Sequence, residues 1–416
     1  MATGTTTWDI SMISKLAIPE TTTHLPGYTL PPVPRQGTRV ILLRHGRSTL
    51  NDAGCYQGSS DESDLTDKGR LASRQVGEFL RHCPIDHLYT SPLRRARQTV
   101  QELLPQLEAI APLPITLSGM LREIDLPAWE GLPYEEVKAR FPDAYRCWQT
   151  TPEQFAMTGS KQKSNNGKGK PQDASEPLMY PVQDVYRRAR DFWVTILPKH
   201  RGQTVLVVSH GGTIQALVNR ALGLSMQQHH KIQQTHSGLT VIDFDAPVLG
   251  AGHLHLLNLT TPLGERLPKL KAGKQGLRLL LLPCQTEISP DVPLGKLVQG
   301  HPITACVVQD HPCCHPNQRV LLAHHPETVT LSVGRANFLH HWQQSALQSL
   351  GQASSAELTT VAAVCHQAHA ESFLRQLMGH SLPLLPNALT VVHYPGVGVR
   401  PIVQTLNSRP VSIRHS

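Results

Sequence analysis

The chain has 416 residues, 39% of them apolar and 17% charged, with a formal net charge of +8. A chain of this length is expected to form about two or three domains, each with its own core. The positive charge favours anionic ligands, but the Lys and Arg residues are scattered, so we expect no nucleic-acid partner. The apolar runs are shorter than the roughly 18 residues that span a bilayer, so we expect no membrane partner either.

The first 37 residues are rich in Thr and Pro. They show neither the apolar stretch of a secretory signal nor the Arg content of a transit peptide, so residues 1–37 are predicted to form a flexible arm. The eight cysteines show no CxxC pair and no disulfide-scaffold spacing, which predicts a cytoplasmic protein. No metal-binding spacing is evident, so we expect neither a metal site nor another cofactor.

Residues 38–258 alternate strand-like and helix-like patterns. The aliphatic run at residues 40–43 is typical of a buried parallel strand. Ala72, Val76 and Phe79 then fall on one face of a helix that Thr66 would cap. The alternation continues with strands at 85–91 and 204–208, and with helical patterns after residues 94, 182 and 214, the last of them ending at Gly223. It predicts an α/β fold with three layers, α/β/α, and a mostly parallel sheet.

Two polar segments interrupt these patterns. Residues 159–177 are rich in Gly, Lys and Ser and lack apolar periodicity, which predicts a disordered surface insertion. A second polar segment, at residues 265–276, precedes another aliphatic strand. We therefore predict a first domain at 38–258, a linker at 259–274 and a second domain at 275–410.

Basic side chains follow several of the predicted strands. Arg44 and His45 follow the first strand, His210 and Gly211 follow the strand at 204–208, and Arg95 lies at the start of a helix. Ligands of an open parallel sheet bind beyond the carboxyl ends of its strands, and helix N-termini attract anions. A phosphate group would satisfy this set of donors.

The motifs at these positions resemble those of the histidine phosphatases, or phosphoglycerate-mutase-like superfamily. The resemblance covers residues 38–258. The matching motifs, in chain order, are RHG at 44–46, Asn51, QG at 57–58, SPLRRARQT at 91–99, LREIDLPAWEG at 121–131 and SHGG at 209–212.

The resemblance implies a catalytic role for five residues. His45 would be the nucleophile that carries the phosphoryl group as phosphohistidine. Arg44, Arg95 and His210 would stabilise the phosphoryl oxygens, and Glu123 would be the general acid and base. The substrate-binding residues implied by the resemblance are Arg44, Asn51, Gln57, Gly58, Arg95, His210 and Gly211.

Each of these residues has an ordinary structural role when it is considered alone. A His at a strand end is more often a hydrogen-bonded structural residue, the basic helix start at 94–97 could be a solvated face, and Glu123 could pair with Arg122. The ordered set of motifs favours a phosphoryl-transfer site instead. Packing alone is expected of Trp129 and Trp148, and the sequence assigns no role to His229, His230 or His236.

Members of the superfamily either hydrolyse the phosphohistidine or act as mutases. Residues 132–155 resemble the phosphatase branch, because they lack the extended basic segment of the mutases. The spacing of Trp148, Pro152 and Phe155 and the long C-terminal extension resemble the 2-carboxy-D-arabinitol-1-phosphatase group of plants and cyanobacteria. This implies hydrolysis of a small phosphorylated sugar or sugar acid, with Arg47 as an added charge for a second anionic group. A mutase and a phosphate-sensing regulatory protein are the alternatives, and the sequence does not indicate the oligomeric state.

The second half of the sequence repeats patterns of the first. GTRVILLRH at 37–45 matches GLRLLLLPC at 276–284, and TVLVVSH at 204–210 matches TVAAVCH at 360–366. At the latter offset Gly223 falls on Gly379. This order of matches predicts a diverged and shortened second copy of the fold at 275–410.

The predicted copy lacks the residues that carry the chemistry. Pro283 and Cys284 stand where the first copy has Arg and His, whereas His366 persists and Arg335 is the match for Arg95. We expect Cys284 to be inert and the copy to be inactive, either packing against the first domain or binding an effector anion through Arg335 and His366.

Overall fold

The computed structural model describes residues 22–107, 112–158, 178–271, 273–285, 294–334, 357–396 and 399–411. The strands in these ranges are β1 Thr22–Leu25, β2 Tyr28–Pro32, β3 Thr38–Arg44, β4 His87–Thr90, β5 Ile115–Leu117, β6 Met157–Thr158, β7 Leu178–Met179, β8 Gln203–Ser209, β9 Leu239–Phe244, β10 Gly252–Leu259, β11 Gly276–Cys284, β12 Ala305–Gln309, β13 Val329–Val333, β14 Leu358–His366, β15 Leu389–Tyr394 and β16 Ile402–Ser408. The α-helices are α1 Thr49–Asp52, α2 Asp67–Leu80, α3 Arg94–Leu107, α4 Tyr134–Arg140, α5 Pro142–Thr150, α6 Pro181–Ile196, α7 Gly211–Ala221, α8 Leu294–Val298, α9 His315–His324 and α10 Gln367–Met378.

One 12-stranded sheet runs through both halves of the chain, in the order β13-β12-β14-β11-β15-β16-β10-β9-β3-β8-β4-β5. The neighbours β3, β8, β4 and β5 are parallel, and so are β11, β14, β12 and β13. Antiparallel strands β9 and β10 extend the first block, and β15 and β16 extend the second. The mostly parallel sheet of the prediction is therefore confirmed. We call β1–β10 with their helices the first half and β11–β16 with theirs the second half.

Helices cover both faces of the sheet. In β3, Val40 and Leu42 belong to the apolar cluster formed with α6 and α7, whereas Ile41 and Leu43 belong to the cluster formed with α2 and α3. All four side chains are fully buried, as expected for a strand between two helical layers. Helix α2 begins after Thr66, whose hydroxyl accepts the Gly69 N–H at 3.1 Å as an N-cap. The three-layer α/β/α arrangement is confirmed.

The second half repeats the first in strand order and in register. The order β16-β15-β11-β14-β12-β13 reproduces β10-β9-β3-β8-β4-β5 strand by strand. The β3–β8 ladder places Arg44 opposite Ser209, and the β11–β14 ladder places Pro283 opposite Cys365. These pairs are the ones that the sequence offsets predict. The second half is therefore a diverged, shortened copy of the same fold.

The two halves join where β10 and β16 pair antiparallel, with Leu257 opposite Leu406. Every step from β3 through β9, β10, β16 and β15 to β11 is antiparallel. The parallel blocks of the two halves consequently run in opposite directions. The carboxyl end of β3 and the amino end of β11 thus lie at the same edge of the sheet.

Two asparagines make reciprocal hydrogen bonds across this junction. Asn258 Nδ2 donates to the carbonyl of Gln404 at 2.6 Å, and Asn407 Nδ2 donates to the carbonyl of His255 at 2.8 Å. Each Oδ1 also accepts a backbone N–H from a loop of its own half, at 2.7 and 2.8 Å. Both residues are buried with φ of 49° and 61°, a left-handed conformation that Asn adopts more readily than most residues.

The prediction of a flexible arm over residues 1–37 is wrong for residues 22–32, where β1 and β2 form an antiparallel hairpin. Leu25, Tyr28 and Leu30 are buried in the same cluster as α2 and α3. The Tyr28 hydroxyl also accepts the backbone N–H of Arg409 at 2.7 Å. Apolar burial and this contact with the C-terminal segment fix the hairpin.

Three predictions concern residues outside the described ranges: the flexibility of residues 1–21, the disorder of 159–177 and the role of Arg335. Within the described ranges, no helix combines the length and apolar character needed to cross a membrane.

Replacing Asn258 by Ala is expected to lower the free energy of unfolding by about 3 kcal/mol. The substitution leaves the Gln404 carbonyl and a loop N–H buried without partners, and each orphaned group costs about 1–3 kcal/mol. Chemical denaturation measures the change. Asn387→Ala is the matched control, because Asn387 has a similar φ of 57° but its side chain bonds to Asn317 within its own half. Equal losses in both variants would show that the junction bonds contribute nothing beyond the backbone conformation.

Candidate active site

The carboxyl ends of β3, β8 and β4 lie side by side and open into one cavity of ≈ 290 Å³. β3 ends at Arg44 and is followed by His45, and β8 is followed by His210, the N-cap residue of α7. The residues of the predicted site that line this cavity are Arg44, His45, Asn51, Gln57, Gly58, Arg95, Glu123 and Gly211. The structure therefore brings these eight predicted residues together, whereas His210 does not line the cavity and contacts it only through the neighbouring ring of His45.

His45 is 2% exposed and has a fixed ring orientation. Its Nδ1 lies 2.7 Å from the Gly46 carbonyl, which only accepts, so Nδ1 carries the proton. Burial, followed by the charges of Arg95 and Arg44, holds the pKa of His45 well below the ordinary histidine value. The ring is therefore neutral near pH 7, with a lone pair on Nε2. An unprotonated Nε2 is what a nucleophilic imidazole requires.

The groups around His45 keep several buried donors without a protein partner. The guanidinium of Arg44 donates from Nη1 to the Gln234 carbonyl at 2.8 Å, and that of Arg95 donates to the carbonyls of Ser60 and Gly58 at 2.7 and 2.9 Å. The Nε atoms of both arginines nevertheless lack partners. Because an unsatisfied buried donor costs about 1–3 kcal/mol, such a group in a pocket indicates a ligand that accepts hydrogen bonds.

His210 adds another buried nitrogen beside His45. Its ring centroid lies 5.0 Å from that of His45, and its Nε2 is 2.7 Å from the Ser91 hydroxyl. The Nδ1 atom is buried and has no partner. Burial and then the charge of Arg95 lower the pKa of His210 well below its ordinary value. A phosphoryl group, with several acceptor oxygens and negative charge, suits donors placed in this way.

Glu123 is held by the start of α7. Its carboxylate accepts the backbone N–H groups of Gly212 and Thr213 at 3.3 and 3.1 Å, and that of Ile124 at 2.9 Å. A Cβ on Gly212 would lie 3.0 Å from Glu123 Oε1 and closer still to Ile124, so this close approach requires glycine. These bonds, in place of an ion pair with Arg122, orient the carboxylate into the cavity.

Asn51 and Gln57 offer amide donors. Asn51 Oδ1 accepts the Ser48 backbone N–H at 3.3 Å, and Gln57 Oε1 accepts the Ser63 hydroxyl at 2.6 Å. The Ser48 hydroxyl oxygen lies 2.9 Å from Asn51 Oδ1 and 3.0 Å from Gln57 Oε1, so its one proton can be donated to either. With their oxygens occupied, both side chains present their amide nitrogens to a ligand. Gly58 contributes backbone only, and its carbonyl positions Arg95.

Several cavity residues were missed by sequence reasoning. The cavity is also lined by Tyr56, Tyr134, Trp148, Gln215, His230, Gln234 and Lys271. Trp148 was expected only to pack, and it does pack against Trp129 and Phe155 while also facing the cavity. His230 faces the cavity beside it, with Nε2 2.8 Å from the Trp148 carbonyl. Tyr56 directly precedes the QG motif and Gln215 lies three residues after SHGG, so their positions offered a signal that sequence reasoning did not use. His230, Gln234 and Lys271 lie far from every motif, so no local signal identified them.

Arg47 does not take the position that the sequence suggested. It forms an ion pair with Asp52 and is not among the residues that line the cavity. The prediction that Arg47 serves a second anionic group of the ligand therefore has no support in the cavity geometry, because the charge is already paired with a carboxylate.

In the second half, the equivalent of His45 is a buried thiol. Cys284 is 1% exposed, and Asn317 Nδ2 donates to its sulfur at 3.1 Å. His366 is the N-cap of α10, and its Nδ1 accepts the Ala368 N–H at 3.3 Å. Across the described part of the chain, no group of three or more His, Cys, Asp or Glu residues is arranged to hold a metal ion.

Sequence comparison links this geometry to a known family. The profile of the Histidine phosphatase superfamily (branch 1) matches residues 40–250. The chain is 33% identical over 248 residues to the probable 2-carboxy-D-arabinitol-1-phosphatase of Arabidopsis thaliana, covering 59% of this chain and 46% of that protein. It is 32% identical over 279 residues to the 2-carboxy-D-arabinitol-1-phosphatase of Triticum aestivum, covering 64% of this chain and 50% of that protein.

A shorter relative matches about half of this chain. Phosphoserine phosphatase 1 of Hydrogenobacter thermophilus is 26% identical over 227 residues, which cover 55% of this chain and 95% of that protein. The chain therefore spans about half the length of the two plant relatives, whereas the bacterial relative matches it over almost its full length.

Replacing Arg44 by Met is expected to weaken the binding of inorganic phosphate by about 10- to 100-fold, since hydrogen bonds to charged groups contribute about 1.5–3 kcal/mol. Isothermal titration calorimetry measures the affinity. Arg47→Met is the control, because Arg47 is close in sequence but is paired with Asp52 outside the cavity. Equal weakening by both changes would mean that general charge, and not the Arg44 donors, attracts phosphate.

Proposed function

Because the chain belongs to the histidine phosphatase superfamily, we propose that it is a metal-independent phosphomonoesterase that works through a phosphohistidine on His45. One observation carries the proposal: the unprotonated Nε2 of His45 lies in a site where Arg44, Arg95 and His210 each keep a buried nitrogen without a protein partner. A phosphoryl group would satisfy these donors while its phosphorus faces the nucleophile.

The first step transfers the phosphoryl group to the protein. The lone pair on His45 Nε2 forms a bond to phosphorus as the bond from phosphorus to the leaving oxygen breaks. The leaving oxygen keeps that electron pair, takes a proton from the carboxyl of Glu123 and departs as the alcohol. Arg44, Arg95 and His210 stabilise the phosphoryl oxygens during the transfer.

The second step regenerates the protein. Water attacks phosphorus, the electrons of the N–P bond return to His45, and the carboxylate of Glu123 accepts the proton of the water. Inorganic phosphate is then released. The backbone bonds from the start of α7 support the dual role of Glu123, since they hold one carboxylate position through both steps.

The substrate we propose is a small phosphorylated sugar or sugar acid similar to 2-carboxyarabinitol 1-phosphate. The names of the two plant relatives support this class. The cavity of ≈ 290 Å³ suits a small molecule, and its aromatic residues Tyr56, Tyr134 and Trp148 provide an apolar wall for a carbon skeleton. The cysteine pattern keeps the cytoplasm as the proposed compartment.

We also propose that the second half has no catalytic site of its own. Cys284 is buried and bonded to Asn317, and Pro283 supplies no charge where the first half has Arg44. A buried thiol that accepts a hydrogen bond in this way lacks access to a substrate.

His45→Ala is expected to abolish phosphate release from 3-phosphoglycerate together with the acid-labile phosphoenzyme. Phosphate release and trapping with labelled substrate measure the two effects. The matched control is Cys284→Ser, which changes the equivalent position of the second half and is expected to retain both signals. Turnover or phosphorylation that survives in His45→Ala would refute the assignment of His45 as the nucleophile. If the unmodified chain converts 3-phosphoglycerate to its 2-phospho isomer without releasing phosphate, it is a mutase. Stoichiometric phosphate binding without any hydrolysis would instead indicate a sensor.

Glu123→Gln is expected to lower kcat by about 10²- to 10⁴-fold on an alkyl phosphate such as 3-phosphoglycerate, the usual range for a general acid. The loss should be much smaller for p-nitrophenyl phosphate in the phosphorylation step, because nitrophenolate leaves without protonation. Single-turnover measurements of phosphoenzyme formation compare the two substrates. An equal loss on both would mean that Glu123 orients the site without donating a proton.

A further inference from the structure

The segment that joins the two halves passes beside the active-site cavity. The parallel blocks run in opposite directions, so the chain must enter β11 at the edge where β3 ends. Residues 265–271, which precede β11, therefore lie at the edge of the sheet that holds His45. One member of this segment, Lys271, lines the cavity although it lies beyond residues 40–250, the range matched by the family profile.

The segment is anchored by both halves in the residues just before Lys271. The Lys269 carbonyl accepts Gln233 Nε2 of the first half at 2.9 Å. The Pro268 carbonyl accepts Arg278 Nη2 of β11 at 2.8 Å, and Leu267 is buried in the core of the second half. Contacts from both halves thus fix the backbone that presents Lys271.

The charge of Lys271 has no counter-ion of its own. Among the residues that the structure describes, none forms a hydrogen bond or a short ion pair with its side chain, whereas the nearby Lys269 pairs with Glu265 at 2.9 Å. The group acts electrostatically on Arg44 and Glu123. Lys271 is solvent-exposed where it lines the cavity, so its ammonium can stay hydrated and charged until an anion binds.

We propose that Lys271 forms a second-anion subsite, which binds a carboxylate of the substrate while Arg44, Arg95 and His210 hold its phosphoryl group. The inference rests on the proposed function, since it assumes that the phosphoryl group binds beside His45. A compact ammonium on a flexible stem suits one carboxylate oxygen, and it supplies the charge that Arg47 does not. The proposed substrate is therefore a phosphomonoester of a hydroxy acid. Lys271 of the joining segment favours it over phosphomonoesters without a carboxylate.

The test compares two ligands that differ only at the relevant group. 3-Phosphoglycerate carries a carboxylate where glycerol 3-phosphate carries a hydroxymethyl group. Calorimetry in a His45→Asn background measures binding without turnover. We expect 3-phosphoglycerate to bind about tenfold or more tightly than glycerol 3-phosphate, and Lys271→Met to remove most of this preference, since a charge-assisted bond contributes about 1.5–3 kcal/mol.

Two variants control for charge and for position. Lys271→Arg keeps a positive charge and should retain much of the preference. Lys274→Met removes an exposed lysine of the same segment that does not line the cavity, and should retain all of it. Thermal unfolding of each variant checks that the fold is intact.

The outcomes separate this inference from the proposed function. Equal weakening of both ligands by Lys271→Met would assign Lys271 to the phosphoryl group and overturn the subsite, as would an unchanged preference. Because the readout is binding, a preference that depends on Lys271 supports the subsite even if the unmodified chain hydrolyses neither compound. In that case only the proposed function would fail.

Discussion

The antiparallel pairing of β10 with β16 is the constraint on which the rest of the structure depends. Because it joins two copies of one fold through a single sheet, it reverses the direction of the second parallel block. Because of the reversal, the carboxyl ends of β11 and β14, which correspond to those of β3 and β8, lie at the opposite edge of the sheet. The amino end of β11 lies at the edge that holds His45. The reciprocal bonds of Asn258 and Asn407 fix this arrangement from both sides.

The cavity shows how binding chemistry competes with stability. Fully satisfied donors would stabilise the fold, yet Arg44, Arg95 and His210 each keep a buried nitrogen without a protein partner. The arginines use their other nitrogens to hold backbone carbonyls, which orients the unpaired ones. Each guanidinium is thus held in place by some of its nitrogens, and another nitrogen remains able to donate to an anion. Rigid donors of this kind need little reorganisation when charge develops on a phosphoryl group.

Sequence reasoning succeeded where local rules decide the outcome. The Thr66 cap, the stop at Gly223 with φ of 70° and the aliphatic β3 all follow from short-range patterns. The motifs also located the residues around His45, because sheet topology brings strand ends together. Lys271 could not be predicted, since its place depends on the direction in which the second block runs. The hairpin at residues 22–32 was missed for a similar reason, as its burial depends on partners distant in sequence.

The two halves separate what the fold needs from what the chemistry needs. In the first half the Ser237 N–H donates to the Arg44 carbonyl at 3.1 Å, and at the equivalent place the Asn387 N–H donates to the Pro283 carbonyl at 3.0 Å. Ser237 and Asn387 even share a left-handed φ, 55° and 57°. The backbone bond persists although the arginine side chain is gone. Such bonds close the sheet and are kept in both copies, whereas a guanidinium and an imidazole with unpaired nitrogens destabilise a copy that binds no anion. Retention of the strand and its backbone bond without the Arg and His side chains fits our proposal that the second half has no catalytic site of its own.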